Sequence, residues 1–281
     1  MSAKTELFAK WLQGSLVIAD QAFGVGNRWF VDPASTTGGT TTGYGANPDK
    51  PFTTMAAALA ACENNDTIFL LSTLSEGDLT LSKSNVTIIG VGASPHTIVW
   101  QQSAVDEILL TITGSNCKIK NIRFRCPARS AGTIVAGISL DGASGAVIED
   151  CVFRGRTGSY YGIATPGNAD NVTIRNCEFK YLNTATYGTA IYGHTYTADV
   201  IGSGWLIEGC VFHSNLKHIE CRLRQSVIRN NQFAAIGLKP DGTALTATVK
   251  INLSGGANAL WNLVTGNMLC GDYSNTGGYT A

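Results

Sequence analysis

From residue 86 onward, short apolar runs alternate with polar positions and recur along the chain. Val172-Thr173-Ile174-Arg175-Asn176-Cys177-Glu178-Phe179 is the clearest copy. It returns around Ile148 to Phe153, Ile207 to Phe212 and Ile228 to Phe233, and more loosely around Ile119 to Phe124, Val264 to Leu269 and Ile88. The aligned Ile or Val positions are 21 to 36 residues apart. A fixed motif at variable spacing describes one supersecondary unit with loops of variable length. A second run lies between copies, as in Ile108-Leu109-Leu110, Ile163-Ala164 and Ile219-Glu220. Period-2 runs with Gly, Asn and Asp at the bends predict short strands. A single such coil cannot bury its apolar side, whereas stacked coils can. The pattern therefore predicts an all-β, right-handed parallel β-helix of about seven coils.

The periodicity also assigns faces. Ile148, Ile174, Ile207 and Ile228 point inward, as does a stack of Phe124, Phe153, Phe179, Phe212 and Phe233. Asp150, Asn176 and Asn230 fall at a bend, where such side chains tolerate unusual backbone angles. Cys151, Cys177 and Cys210 form a column of small buried hydrophobes. Lys120, Glu149, Arg175, Glu208 and Arg229 alternate in sign up the stack, as exposed pairs each worth less than about 1 kcal/mol. The stripe Arg125, Arg154, Lys180 and His213, like-signed when His213 is protonated, is either solvated charge screened by salt or the match of a counter-surface, an acidic patch of a capsid or an anionic glycan.

Residues 27–71 read as an entry module with a capping helix at Thr54 to Cys62. Residues 1–26 read as an extension whose helix presents Leu7, Phe8, Trp11 and Leu12 on one face, for packing on the solenoid or anchoring to a partner subunit.

Composition supports a turn-rich β fold: 14% of residues are charged and 32 of 281 are Gly. The formal net charge of zero gives no global argument for nucleic acid or an anionic membrane. The eight cysteines form no CxxC pair, so no zinc site, metal or cofactor is predicted, and free thiols in a reducing compartment of synthesis are expected. The N-terminus does not read as a secretion leader.

The run Val31-Asp32-Pro33, then Asn47-Pro48-Asp49-Lys50-Pro51-Phe52-Thr53-Thr54-Met55, then Asp66-Thr67-Ile68-Phe69-Leu70, together with the Ile-Arg-Asn-Cys-x-Phe coils, resembles the pectate-lyase-like right-handed parallel β-helix superfamily. The resemblance is to the short form encoded among bacteriophage structural genes. It implies a non-enzymatic virion protein, a head decoration or spike, assembled in the host cytoplasm as a homotrimer and bound to other virion proteins. The alternative is a tailspike-like polysaccharide depolymerase, lyase or glycoside hydrolase, or a glycan-binding module.

The catalytic pattern of the polygalacturonase-like relatives (Asn-Thr-Asp, Asp-Asp, Gly-His-Gly, Arg-Ile-Lys) does not occur in the sequence. The weak catalytic candidates are Asp141, His194, Glu220 and Arg222, placed on one outer face by the second strand of the coil. Asp141 and Glu220 fall three coils apart, roughly 14 Å, beyond the spacing of a glycosidase pair. For a binding module the stacking platforms are Tyr160, Tyr161, Tyr187, Tyr192 and Tyr196.

Overall fold

The computed structural model describes residues 26–130, 134–156, 158–182, 188–193, 202–234, 249–253 and 261–270. The helix expected to carry Leu7, Phe8, Trp11 and Leu12 lies outside them, as do His194, Tyr187 and Tyr196.

The chain forms the expected all-β right-handed parallel solenoid. Its three faces are parallel sheets of nine, eight and seven strands, called sheets 1, 2 and 3 in the order a coil visits them. Sheet 1 aligns Ile68, Ile88, Ile119, Ile148, Ile174, Ile207, Ile228 and Val264. Sheet 2 aligns Leu74, Trp100, Phe124, Phe153, Phe179, Phe212, Phe233 and Leu269. Sheet 3 aligns Leu110, Ile138, Ile163, Ile191, Ile219 and Ile251. Successive phenylalanine rings in sheet 2 stack at 5.1, 4.8, 4.9 and 4.8 Å. Two strands that the motif does not mark, Arg28–Val31 and Thr67–Leu70, extend sheet 1 toward the N-terminus.

Each described strand of sheet 1 after the first follows a residue in the left-handed region: Asn65, Asn85, Asn116, Gly145, Asn171, Gly204, Gln225 and Trp261. The later strands are also followed by one: Asn121, Asp150, Asn176, Gly209, Asn230 and Gly266, with φ between 52° and 63°. This second series is the bend read from the sequence. Asn and Gly dominate both series because their short or absent side chains tolerate this conformation. Asn121 also donates from Nδ2 to the Gly90 and Gly92 carbonyls at 2.8 and 3.0 Å, tying two coils together.

The predicted cap is α1 (Met55–Ala61). The Thr54 hydroxyl accepts from the Ala57 N–H at 3.2 Å, and the Glu76 carboxylate accepts from the Met55 and Ala56 N–H groups at 2.9 and 3.1 Å. These acceptors satisfy donors that a helix start leaves open. Met55 and Ala58 are buried against the coil below.

Cys151, Cys177 and Cys210 are buried free thiols, each donating from Sγ to the carbonyl two residues earlier at 3.2 to 3.3 Å. Burial, with the neighbouring thiols of Cys151 and Cys210, pushes the Cys177 thiol far above its ordinary range, so it stays protonated and unreactive. Asn231 and Asn267 continue the column, with Asn231 Nδ2 on the Ile207 carbonyl at 3.0 Å and Asn267 Oδ1 accepting from the Asn231 N–H at 2.9 Å.

The charge ladder forms in the expected register, but it is not uniformly exposed. Glu149 is only 3% exposed, because Lys118 (2.7 Å), Lys120 (3.1 Å) and Arg175 converge on its carboxylate. Burial alone would raise its pKa, but hydrogen bonds from Lys118, Arg175 and Lys120 outweigh that and hold it at about 2, against an ordinary 4.5. Because the folded pKa is the lower one, the stabilisation is complete above pH 4.5 and is lost as pH falls toward 2. Glu149→Gln is expected to cost about 2–3 kcal/mol at neutral pH, since it leaves three cations without their shared anion. Urea midpoints of the two proteins at pH 7 and pH 2.5 check this, and the gap between them closes in acid.

Candidate functional site

The stripe predicted on the outer face of sheet 2 occupies one continuous row. Gln101, Arg125, Arg154, Lys180 and His213 are successive partners across five strands. They point outward because Trp100, Phe124, Phe153, Phe179 and Phe212, one residue earlier on each strand, point in. At one end of the row lies a groove of about 400 Å³ lined by Thr73, Val99, Gln101, Arg123, Arg125, Arg154, Gly155 and Arg156. The two arginines beyond the stripe arise from period-2 repetition: Arg123-Phe124-Arg125 spans one strand, and Arg154-Gly155-Arg156 leaves the next.

Among the described residues no carboxylate lines the groove, and none of its four guanidiniums forms an ion pair. Arg125 donates from Nη1 to Gln101 Oε1 at 3.2 Å, and Arg154 lies 5.7 Å from the Tyr181 ring centre. The Nε of half-buried Arg123 is enclosed without a hydrogen-bond partner. Arg125, Arg154 and Arg156 are exposed. Four like charges on two adjacent strands repel one another unless an anion joins them.

The far end of the row is different. Lys180 Nζ reaches both oxygens of Glu178, at 2.7 and 2.8 Å, and His213 Nε2 lies 2.9 Å from Oε1. The hydrogen bond with His213 and those from Lys180 outweigh burial and hold Glu178 ionised down to about pH 2. Lys180 and His213 thus belong to the stripe by position, while their charge is answered within the protein.

The other candidates do not converge on a shared site. Ser139, Ala164, Tyr192 and Glu220 pair in the expected register along sheet 3, which leaves Asp141 and Glu220 three strand steps apart, about 14 Å. Asp141 is exposed, and Glu220 holds Lys217 at 2.8 and 2.9 Å. Arg222 follows the strand and is half-buried. Within this outer row Ser139 and Ala164 are buried. A second layer from residues 126–130 and 158–161, joined by a bridge between Ala128 and Ser159, accompanies an outer cluster of Ala136, Tyr161 and Ala164. Of the predicted stacking platforms, Tyr161 is 5% exposed and lies flat against Tyr192 at 4.3 Å, and Arg129 sits 4.4 Å over Tyr160. One face of each of these rings is therefore already occupied.

Solved structures with the same fold include a rhamnogalacturonan lyase (TM-score 0.58, 16% identity), matched over 89% of this chain and 64% of its own. Another is the GH136 lacto-N-biosidase from Eubacterium ramulus (TM-score 0.50, 11% identity), matched over 94% of this chain and 62% of its own. This chain therefore spans less than two thirds of either protein. No curated protein matches the sequence. The expectation of a bacteriophage head decoration or spike is corrected by these matches: the folds on which the chain superposes are carbohydrate-active enzymes. At its open end the stripe is a groove of arginines that form no ion pair among the described residues, of the size of a small-molecule site. The family described as the right handed beta helix region matches residues 98–281, and the chain belongs to that family.

Proposed function

We propose that this β-helix is a polysaccharide lyase that holds a uronate-containing chain in the groove formed by Arg123, Arg125, Arg154 and Arg156. The observation that carries the reading is the set of four guanidiniums with no carboxylate among them. Guanidinium forks suit carboxylates, and binding satisfies charges that the folded protein leaves open. The same composition argues against hydrolysis in this groove, which requires a pair of acids across the scissile bond. In an elimination, neutralising the uronate carboxylate makes the C5 proton acidic. A base removes that proton, the C4–O4 bond breaks with O4 departing on the neighbouring sugar and taking a proton from water, and the remaining fragment carries a C4–C5 double bond. Stabilising the charge that develops at the carboxylate is the part of this chemistry that the arginines supply.

The test is incubation with a panel of acidic polysaccharides (polygalacturonate, rhamnogalacturonan, alginate) and neutral ones, following the ultraviolet absorbance of unsaturated ends. Release confined to acidic members is expected. Binding to acidic members without release would make the protein a glycan-binding module, and neither binding nor release would sink the assignment.

A further inference from the structure

The cationic row and the groove coincide over only part of their length. Arg123 and Arg125 lie on the strand Arg123–Arg125; Arg154 ends the strand Val152–Arg154, with Arg156 two residues beyond. Adjacent parallel strands are about 4.8 Å apart, close to the advance of one pyranose unit in an extended polysaccharide. A uronate chain running along the solenoid axis therefore meets two guanidiniums per unit over two successive coils.

On the next coil the pattern stops. Glu178 is the register partner of Val152, and its carboxylate lies beside Lys180, the register partner of Arg154. Both its oxygens hold Lys180, one holds His213 from the coil beyond, and the His96 ring nitrogen is 3.9 Å away. The carboxylate remains 27% exposed, on the same outer face as the arginines. A third uronate on this axis would meet an anion and a lysine that is already paired.

We propose that Glu178 is a specificity-determining residue that ends the anion-binding track after two coils, so that the site selects two consecutive acidic units followed by a neutral one. This rests on the acidic-glycan reading of the groove, but not on turnover. Like charges brought together in this way discriminate by repulsion rather than by added attraction. Removing Glu178 would release Lys180, and His213 when protonated, to lengthen the track.

Calorimetric titration with galacturonate and its oligomers up to the hexamer tests this on the full chain. The wild-type protein should gain affinity up to the dimer and level off. In Glu178→Gln the hexamer-to-dimer affinity ratio should rise about fivefold or more, as one charge-assisted contact is added. Lys180→Gln, which leaves Glu178 in place, should change wild-type hexamer affinity by less than about twofold, yet abolish the gain when combined with Glu178→Gln. An unchanged ratio in Glu178→Gln, or a wild-type affinity that climbs steadily to the hexamer, overturns the proposal. If Glu178→Gln does not fold, a large loss of hexamer affinity in Lys180→Gln alone overturns it. Binding by none of the proteins overturns the acidic-glycan reading as well. Binding with the expected length dependence but no unsaturated product leaves this proposal standing and removes only the lyase reaction.

Discussion

Replacing Arg125 and Arg154 together by glutamine is expected to lower affinity for an acidic polysaccharide at least 100-fold, without a comparable loss of stability. The two are register partners on adjacent strands, both are exposed, and neither holds a carboxylate among the described residues. A charge-assisted hydrogen bond to a ligand anion contributes about 1.5–3 kcal/mol, so two lost contacts amount to roughly 3–6 kcal/mol. Removing two mutually repelling charges should, if anything, stabilise the free protein slightly. Lysine at the same positions should restore part of the affinity, because it keeps the charge but lacks the planar fork. Arg229→Gln on sheet 1, where the guanidinium is held by Glu208 at 2.7 Å, serves as the control for a general loss of positive charge. Affinity electrophoresis in gels containing polygalacturonate, repeated at two salt concentrations, reads all of these. Equal retardation of the double variant and the wild type would remove the groove from the binding site.

The interior of the solenoid was legible because its signal is periodic. Ile174 and Phe179 recur in every full copy of the motif, and strand alternation then dictates which way they point. The groove was legible by half. Arg125 and Arg154 follow the inward phenylalanines directly, whereas Arg123 lies two residues back on the strand of Arg125 and Arg156 two residues past the end of the strand of Arg154. Lys180 and His213 continue the stripe by position, but Glu178, on the same strand face as Lys180, cancels them; the Glu178-Phe179-Lys180 spacing carried that signal. Glu149 was misjudged as exposed because Lys118, which helps to cover it, lies outside the alternating column. The burial of the outer row of sheet 3 was not legible, because its cover includes loop residues such as Ile134 and Tyr160, whose packing follows no repeat. The virion reading rested on a likeness to one branch of a superfamily, on the missing polygalacturonase-like pattern and on the apolar N-terminal segment, none of which is a site, and function follows from the site rather than from the fold.

The largest effect on stability is expected from Phe179→Ala. The ring is fully buried, lying 4.8 Å from Phe153 at 6° and 4.9 Å from Phe212 at 4°. Gly162 on sheet 3 is confined by the same ring, since a Cβ there would come within 3.0 Å of it. Deleting a buried phenylalanine costs about 3–5 kcal/mol, and each aromatic pair lost adds roughly 0.5–1.5 kcal/mol. Position in the stack sets the rest. A solenoid is held together by nearest-neighbour interfaces, so a ring in the middle serves two of them. Phe233 stacks on Phe212 at 4.8 Å and lies 5.6 Å from the tilted His218 ring, and its register partner on the following strand is the 40% exposed Leu269. Phe233→Ala should therefore cost clearly less than Phe179→Ala, although the side chain removed is identical. Weakening the middle of the stack also uncouples the coils before it from those after it, so Phe179→Ala should broaden the urea transition or split it in two, while Phe233→Ala mainly shifts the midpoint. Equal costs for the two variants, each with a single sharp transition, would mean that the coils fold as one indivisible unit rather than as a sum over neighbours.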